Sequence, residues 1–151
     1  MNTARKFIVA AACLLLASPV FAQRYSYSPD GSEVTDINTG LIWRRCSEGQ
    51  TWNGSTCAGE GIDYTHEQAL AHAQTQTGWR LPNVKELSTI TDRTRFEPSI
   101  DTTVFPGTHS KGYWTSTPYT GDPRYVRKVY FNLGYICFGD RTKPYFVRLV
   151  R

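Results

Sequence analysis

The chain has 151 residues, 40 % of them hydrophobic and 20 % charged, with 17 Lys and Arg against 13 Asp and Glu for a formal net charge of +4. The length is about one domain's worth. This composition excludes a disordered tail, a collagen and a coiled coil.

The first 22 residues read as a cleaved signal peptide. Arg5 and Lys6 form a positive start, and residues 7–17 are an apolar run too short to span a bilayer of about 30 Å as a helix. Pro19 breaks that helix, and Val20-Phe21-Ala22 suits cleavage after Ala22. The rival reading, a lipoprotein site at Cys13, would leave only residues 7–12 as the apolar run. Cleavage after Ala22 leaves residues 23–151 as one domain with a net charge of +2 and no second apolar stretch. The expected location is periplasmic or secreted. Three cysteines remain. Cys46 and Cys57 are expected to pair in an oxidising compartment, a closure worth about 2–3 kcal/mol in the chain-entropy model. Cys137 is then odd. It reads as a buried free thiol, with an intermolecular bridge or a reactive nucleophile as the alternatives.

Residues 23–32 read as a short polar lead. Residues 33–37 and 41–44 are β-rich and flank Asn38-Thr39-Gly40, a hairpin with glycine at the positive-φ position. Thr65 with Gln68 is a capping box, followed by the stripe Ala69, Leu70 and Ala73 and a stop at Gly78. Asn83 with Glu86 repeats the cap, and a second helix is expected from Val84 to about Thr91 that buries Val84, Leu87 and Ile90. Residues 92–111 form a long irregular loop punctuated by Pro98 and Pro106. Four strand candidates follow at 112–117, 125–132, 135–138 and 145–150, with turns at Leu133-Gly134 and Gly139-Asp140. Segregated helices and antiparallel strands make the fold class α+β: an N-terminal hairpin, two helices, a long loop and a strand meander.

The series Thr39-Gly40-Leu41-Ile42-Trp43, Arg45-Cys46 with Trp52-Asn53-Gly54-Ser55-Thr56-Cys57, Trp79-Arg80-Leu81-Pro82-Asn83, Phe105-Pro106, Tyr113-Trp114-Thr115-Ser116-Thr117 and Val147-Arg148-Leu149-Val150-Arg151 resembles the Lcl C-terminal domain family. That family is named after a collagen-like bacterial adhesin associated with sulfated polysaccharides. The order of elements is also similar to a C-type-lectin-like fold, in which terminal strands pair and a long loop region carries binding. This chain carries no collagen-like region. Trp43, Trp79 and Trp114 are expected to anchor the core, with Arg80 binding backbone carbonyls from a packed stem.

The search for chemistry returns little. His66 and His72 are six residues apart, about 120° off a common helix face, and do not chelate together. No zinc spacing surrounds Cys46 or Cys57. Glu97-Pro98 is followed by Ser99, unlike the Glu-Pro-Asn of calcium-dependent lectins, so Asp92, Glu97, Asp101 and Asp122 read as solvated loop charge. No nucleophile elbow, phosphate loop or recognisable triad appears. The expectation is a non-enzyme without cofactor or metal.

Charge is unevenly spread. Residues 111–151 carry a net +6 and residues 23–110 a net −4. Arg124, Arg127, Lys128, Arg141 and Lys143, interleaved with Tyr119, Tyr125, Tyr130, Tyr135 and Tyr145, are the candidate ligand-binding residues for a sulfated or anionic glycan. Strand alternation sends Arg127 and Lys128 to opposite faces. The alternative is a protein–protein module that docks another surface protein through residues 92–119. Export argues against nucleic acid as the partner.

Overall fold

The computed structural model describes residues 23–151. The expected signal peptide lies outside the described residues. The elements run β1 (Tyr25–Tyr27), β2 (Glu33–Asp36), β3 (Ile42–Arg44), β4 (Thr51–Trp52), β5 (Cys57–Ala58), β6 (Asp63–Tyr64), α1 (His66–Thr75), α2 (Val84–Thr89), β7 (Gly112–Pro118), β8 (Tyr125–Tyr130), β9 (Tyr135–Asp140) and β10 (Tyr145–Phe146). The domain is α+β, with two helices and three sheets.

The hairpin β2–β3 turns at Gly40, whose φ of 72° is open to glycine at no steric cost. The expected polar lead instead contains β1, which pairs antiparallel with β2. Tyr25 there sets its ring edge against Phe105, giving the segment an apolar anchor that its polar composition hides. The stretch between the two disulfide cysteines folds into the small ribbon β4–β5. Cys46 and Cys57 are bonded, with Cα atoms 5.4 Å apart.

Both helices begin in reciprocal capping boxes, Thr65 with Gln68 and Asn83 with Glu86. Each box satisfies two orphan backbone donors. On α1, Ala69 and Ala73 are buried as expected, whereas Leu70 is exposed. Helix α2 stops at Thr89, short of the expected Thr91. There the Ser88 and Thr89 hydroxyls turn back to donate to the carbonyls of Val84 and Glu86, offering the backbone an alternative to helix.

The main sheet has the order β6-β10-β7-β8-β9. The run β7–β8–β9 is an antiparallel meander, as the sequence suggests. The fourth strand departs from that expectation: β10 is two residues long and lies parallel to β7, on the side away from β9. Gly139 is no turn residue either, but sits within β9. A Cβ there would lie 2.7 Å from the Tyr145 ring and 3.1 Å from that of Trp114, so the glycine allows ring packing rather than a chain reversal. The reversal comes later, where the Asp140 carboxylate accepts from the Thr142 N–H and hydroxyl.

After β10 the chain leaves the main sheet. Residues 147–151 run between β3 and Arg80: Arg44 N–H donates to Leu149, Ile42 exchanges backbone bonds with Arg151, and Arg80 with Val150. The C-terminal segment therefore closes the domain against the N-terminal hairpin.

Consecutive residues of β7 point to opposite faces of the sheet. Tyr113 joins Val34, Trp43, Leu87, Ile90, Ile100, Phe105, Val129 and Phe131 on one face. Trp114 joins Ala69, Ala73, Leu81, Val126, Val147 and Leu149 on the other. Trp43 and Trp114 are fully buried, while Trp79 is half-buried at the edge of the second cluster. Arg80 places its guanidinium on Glu86, with a weaker bond to the Leu81 carbonyl. The long loop, residues 90–111, has no regular structure but is packed, with Ile100, Val104 and Phe105 in the core.

Candidate functional site

Four of the five basic candidates gather around the free end of the β8–β9 ladder. The register sets Tyr125 against Asp140. One step further out, the Arg141 N–H donates to the Arg124 carbonyl at 3.0 Å, bringing the two residues side by side. Arg141 also donates through Nε to the Pro123 carbonyl and through Nη1 to His66 Nδ1. Lys143 is exposed on the turn that follows. Arg127 lies opposite Phe138, three residues along β8 from Arg124, or about 10 Å at strand rise.

An aromatic group lies under Arg124 and Arg127. The Tyr119 ring stacks on Phe138 at 4.8 Å, and Tyr125 meets Phe138 edge-on at 5.3 Å. The guanidinium of Arg127 lies 4.9 Å from the Tyr119 ring centre, and that of Arg124 lies 5.7 Å from Tyr125. A ring cluster with guanidinium groups against Tyr119 and Tyr125 combines apolar surface with anion-binding donors, which suits a ligand with a sugar face and anionic substituents. Sequence patterning does not single out Phe138 as a site residue. The ladder sets it opposite Arg127 and the fold stacks it on Tyr119, and neither follows from local spacing.

Lys128 departs from this group. It is 7 % exposed, with its Nζ 3.7 Å from the centre of the Tyr145 ring. Strand alternation turns it away from Arg127, so it forms no part of an open surface. Tyr145 covers Lys128, and Tyr130 and Tyr135 stack on each other at 5.5 Å, so these three rings are outside the cluster.

Two carboxylates temper the cluster. Asp122 accepts three side-chain bonds from Arg124, and these with the Arg124 N–H hold its pKa below the ordinary carboxylate range. Asp140 is lowered by its bonds from Thr142, with smaller help from Lys143 and Arg124. Arg124 thus bonds Asp122 directly, and Asp140 feels both Lys143 and Arg124. Beside them is a cleft of about 450 Å³ lined by Thr65, His66, Glu67, Leu70, Arg141 and Thr142.

His66 is 4 % exposed and forms the floor of this region. Its Nε2 faces the Thr115 carbonyl at 3.1 Å and its Nδ1 faces the Arg141 guanidinium at 3.1 Å. A carbonyl can only accept and a guanidinium can only donate, so the ring is neutral with its proton on Nε2. Burial pushes its pKa down, and the nearby Arg141 charge pushes the same way against the Thr115 bond.

A larger cleft of about 590 Å³ lies between β1 and the long loop. It is lined by Arg24 and Arg93 but equally by Asp92 and Asp101. Matched charges give it no net attraction for a polyanion. Asp92 bonds Thr94 and Arg95, and Asp101 bonds the Thr103 N–H, so both carboxylates have loop partners. Among the described residues, no group of three or more His, Cys, Asp or Glu is arranged to hold a metal ion. No helix among them is long and apolar enough to cross a membrane.

Cys137 is free and partly buried on β9, opposite Lys128. Burial pushes its thiol pKa up, with Lys128 acting weakly in the other direction. None of the three histidines is hydrogen-bonded to a serine, threonine or cysteine side chain among the described residues.

An α+β domain closed by its own C-terminal segment, with an exposed basic and aromatic strand end, is the class these features define. The chain matches the family model of the Lcl C-terminal domain over residues 32–151, and it belongs to that family. No curated protein and no solved structure matches it.

Proposed function

We propose that this protein is an exported, non-enzymatic binding module that recognises a sulfated or otherwise anionic polysaccharide at the β8–β9 end. The carrying observation is the placement of the Arg127 guanidinium 4.9 Å from the Tyr119 ring and of the Arg124 guanidinium 5.7 Å from the Tyr125 ring, on the Tyr119–Phe138–Tyr125 cluster. Arg124, Arg127, Arg141 and Lys143 make the contacts, and Lys128 does not. Guanidinium forks bind sulfate oxygens bidentately. Family membership supports an adhesive role, and the Cys46–Cys57 bond suits an oxidising compartment.

The architecture is read as C-type-lectin-like, because the terminal segments pair and a long packed loop separates the second helix from the meander. The non-enzymatic reading is supported by a thiol whose pKa burial raises and by a His66 ring with both nitrogens engaged. A second reading, docking of another surface protein, has Phe96 in its favour: it is 75 % exposed on the long loop.

The test is retention of the exported protein on immobilised heparin beside neutral and carboxylated glycans, across a salt series. Preference for sulfate, lost in Arg124→Ala and Arg127→Ala, is the expected result. No retention on any polyanion at low salt overturns it and moves the assignment to protein docking through Phe96.

A further inference from the structure

Strand β9 is the outer strand of the main sheet, bonded to β8 along its whole length and, among the described residues, to no strand on its other side. Edge strands are ordinarily guarded by charge, proline or a bulge. From Tyr135 to Gly139 this one has none of these. Tyr135, Ile136 and Phe138 are instead 43 %, 42 % and 49 % exposed.

The edge has a definite polarity of hydrogen-bonding groups. Arg141 N–H points inward to Arg124. By the two-residue alternation of an antiparallel ladder, Gly139 and Cys137 also bond inward, and Ile136, Phe138 and Asp140 turn their N–H and C=O groups outward.

From this we infer that β9 pairs antiparallel with β9 of a second copy, about a two-fold axis at Cys137. The register is self-matching. Ile136 of each copy falls opposite Phe138 of the other, and these are the residues with outward backbone groups, so they exchange both bonds. Their side chains share one face and bring two isoleucines and two phenylalanines together. Tyr135 falls opposite Gly139, large against small. A one-residue slip would place outward-facing groups against inward-facing ones and break each of these matches.

Cys137 falls opposite its own copy at a non-hydrogen-bonded site. Cα atoms there are about 4.5 Å apart, within the range a disulfide spans. The odd thiol of the chain thus gains a partner: two Cys137 thiols exchange with a small-molecule disulfide, forming one Cys137–Cys137 bond and releasing two small thiols. The pairing itself is non-covalent and precedes this lock. If the β8–β9 end is the glycan site, the dimer sets the two Arg124–Arg141 ends, each four residues from the axis, about 27 Å apart along the strand direction with the two Phe138 rings near the centre, a bivalent arrangement.

The experiment uses the protein recovered after export, studied by light scattering with and without reductant. The expected result is twice the monomer mass in both conditions. Added oxidised glutathione should then give a dimer that survives denaturing electrophoresis and disappears in Cys137→Ser. Ile136→Lys should restore the monomer mass under both conditions. Hydrogen exchange on the unmutated protein gives a second reading that needs no variant. The Ile136 and Phe138 amides should be protected at least tenfold more at high than at low protein concentration. A monomer at 100-fold dilution steps up to the highest soluble concentration would overturn the inference. So would a dimer whose Ile136 and Phe138 amides exchange freely. Heparin binding enters neither readout, so loss of the glycan reading leaves this result intact.

Discussion

Arg148 and Arg124 lie in the same basic segment of the chain, in opposite surroundings. Arg148 is fully buried. Its Nη1 donates to the carbonyls of Arg44 and Arg45, and its Nη2 to Thr108 Oγ1 at 2.7 Å and Ser47 Oγ at 3.4 Å. Burial lowers its pKa, and it has no direct carboxylate partner among the described residues. Arg124 has a side chain that is 75 % exposed and is held by one short ion pair to Asp122. A buried cation whose Nη donors are answered by carbonyls and hydroxyls, even with its buried Nε unpartnered among the described residues, acts as a hydrogen-bonding hub. An exposed one in high dielectric contributes little to folding and stays available to a ligand. Arg45 belongs with Arg148: it donates to the carbonyls of Gly31, Thr103 and Val104 and lies between the rings of Trp52 and Tyr27. Together these two arginines tie the hairpin, the long loop and the C-terminal segment into one body. Counting the segment's charge as a single patch therefore overstates the field at the surface.

The sharpest way to break this contrast is Arg148→Ala. It orphans buried carbonyls and leaves a cavity, so the urea midpoint should fall by the equivalent of about 3–5 kcal/mol. A loss under about 1 kcal/mol would show that water or neighbours replace the hub. Removing the disulfide with Cys46→Ala and Cys57→Ala should cost about 2–3 kcal/mol by the same measurement, with the β8–β9 end unaffected.

The pH response separates the interior from the surface more finely. The folded state holds His66 neutral, with its pKa below the ordinary histidine value of 6.5. The unfolded chain then binds more protons in the window just below 6.5, so stability declines as pH falls through it. His109 acts in the same direction, since burial also lowers its pKa. His66→Gln should flatten the decline in part. An NMR titration placing His66 above 6.5 would contradict the bonding to Thr115 and Arg141. The smallest effect on folding belongs to Arg124→Ala and Arg127→Ala, which should leave the melting temperature in place and shorten heparin retention. Lys128→Ala should do the reverse. Its buried ammonium lies against the Tyr145 ring, so folding suffers while retention at matched folded concentration holds.

Local chemistry was legible in the chain. Thr65–Gln68 and Asn83–Glu86 specify helix starts through bonds made within four residues, and Gly40 specifies a turn through its own backbone freedom. The β7–β8–β9 ladder follows from short connections that bring neighbours in sequence together. Other features need partners far along the chain. Strand β1 forms because Tyr25 finds Phe105, 80 positions away. Gly139 is a packing residue because Tyr145 and Trp114 approach it.

The candidate site divides in the same way. The sequence alone established the α+β class, the family resemblance, the excess of positive charge after residue 110 and the opposition of Arg127 and Lys128, because all of these depend on composition, order or strand period. Which cations are exposed was decided by the tertiary structure. Tyr145 arrives on a parallel strand to cover Lys128, and residues 147–151 carry Arg148 into the centre of the domain. Burial is a property of the whole packed body, and no spacing within a strand encodes what will be laid across it.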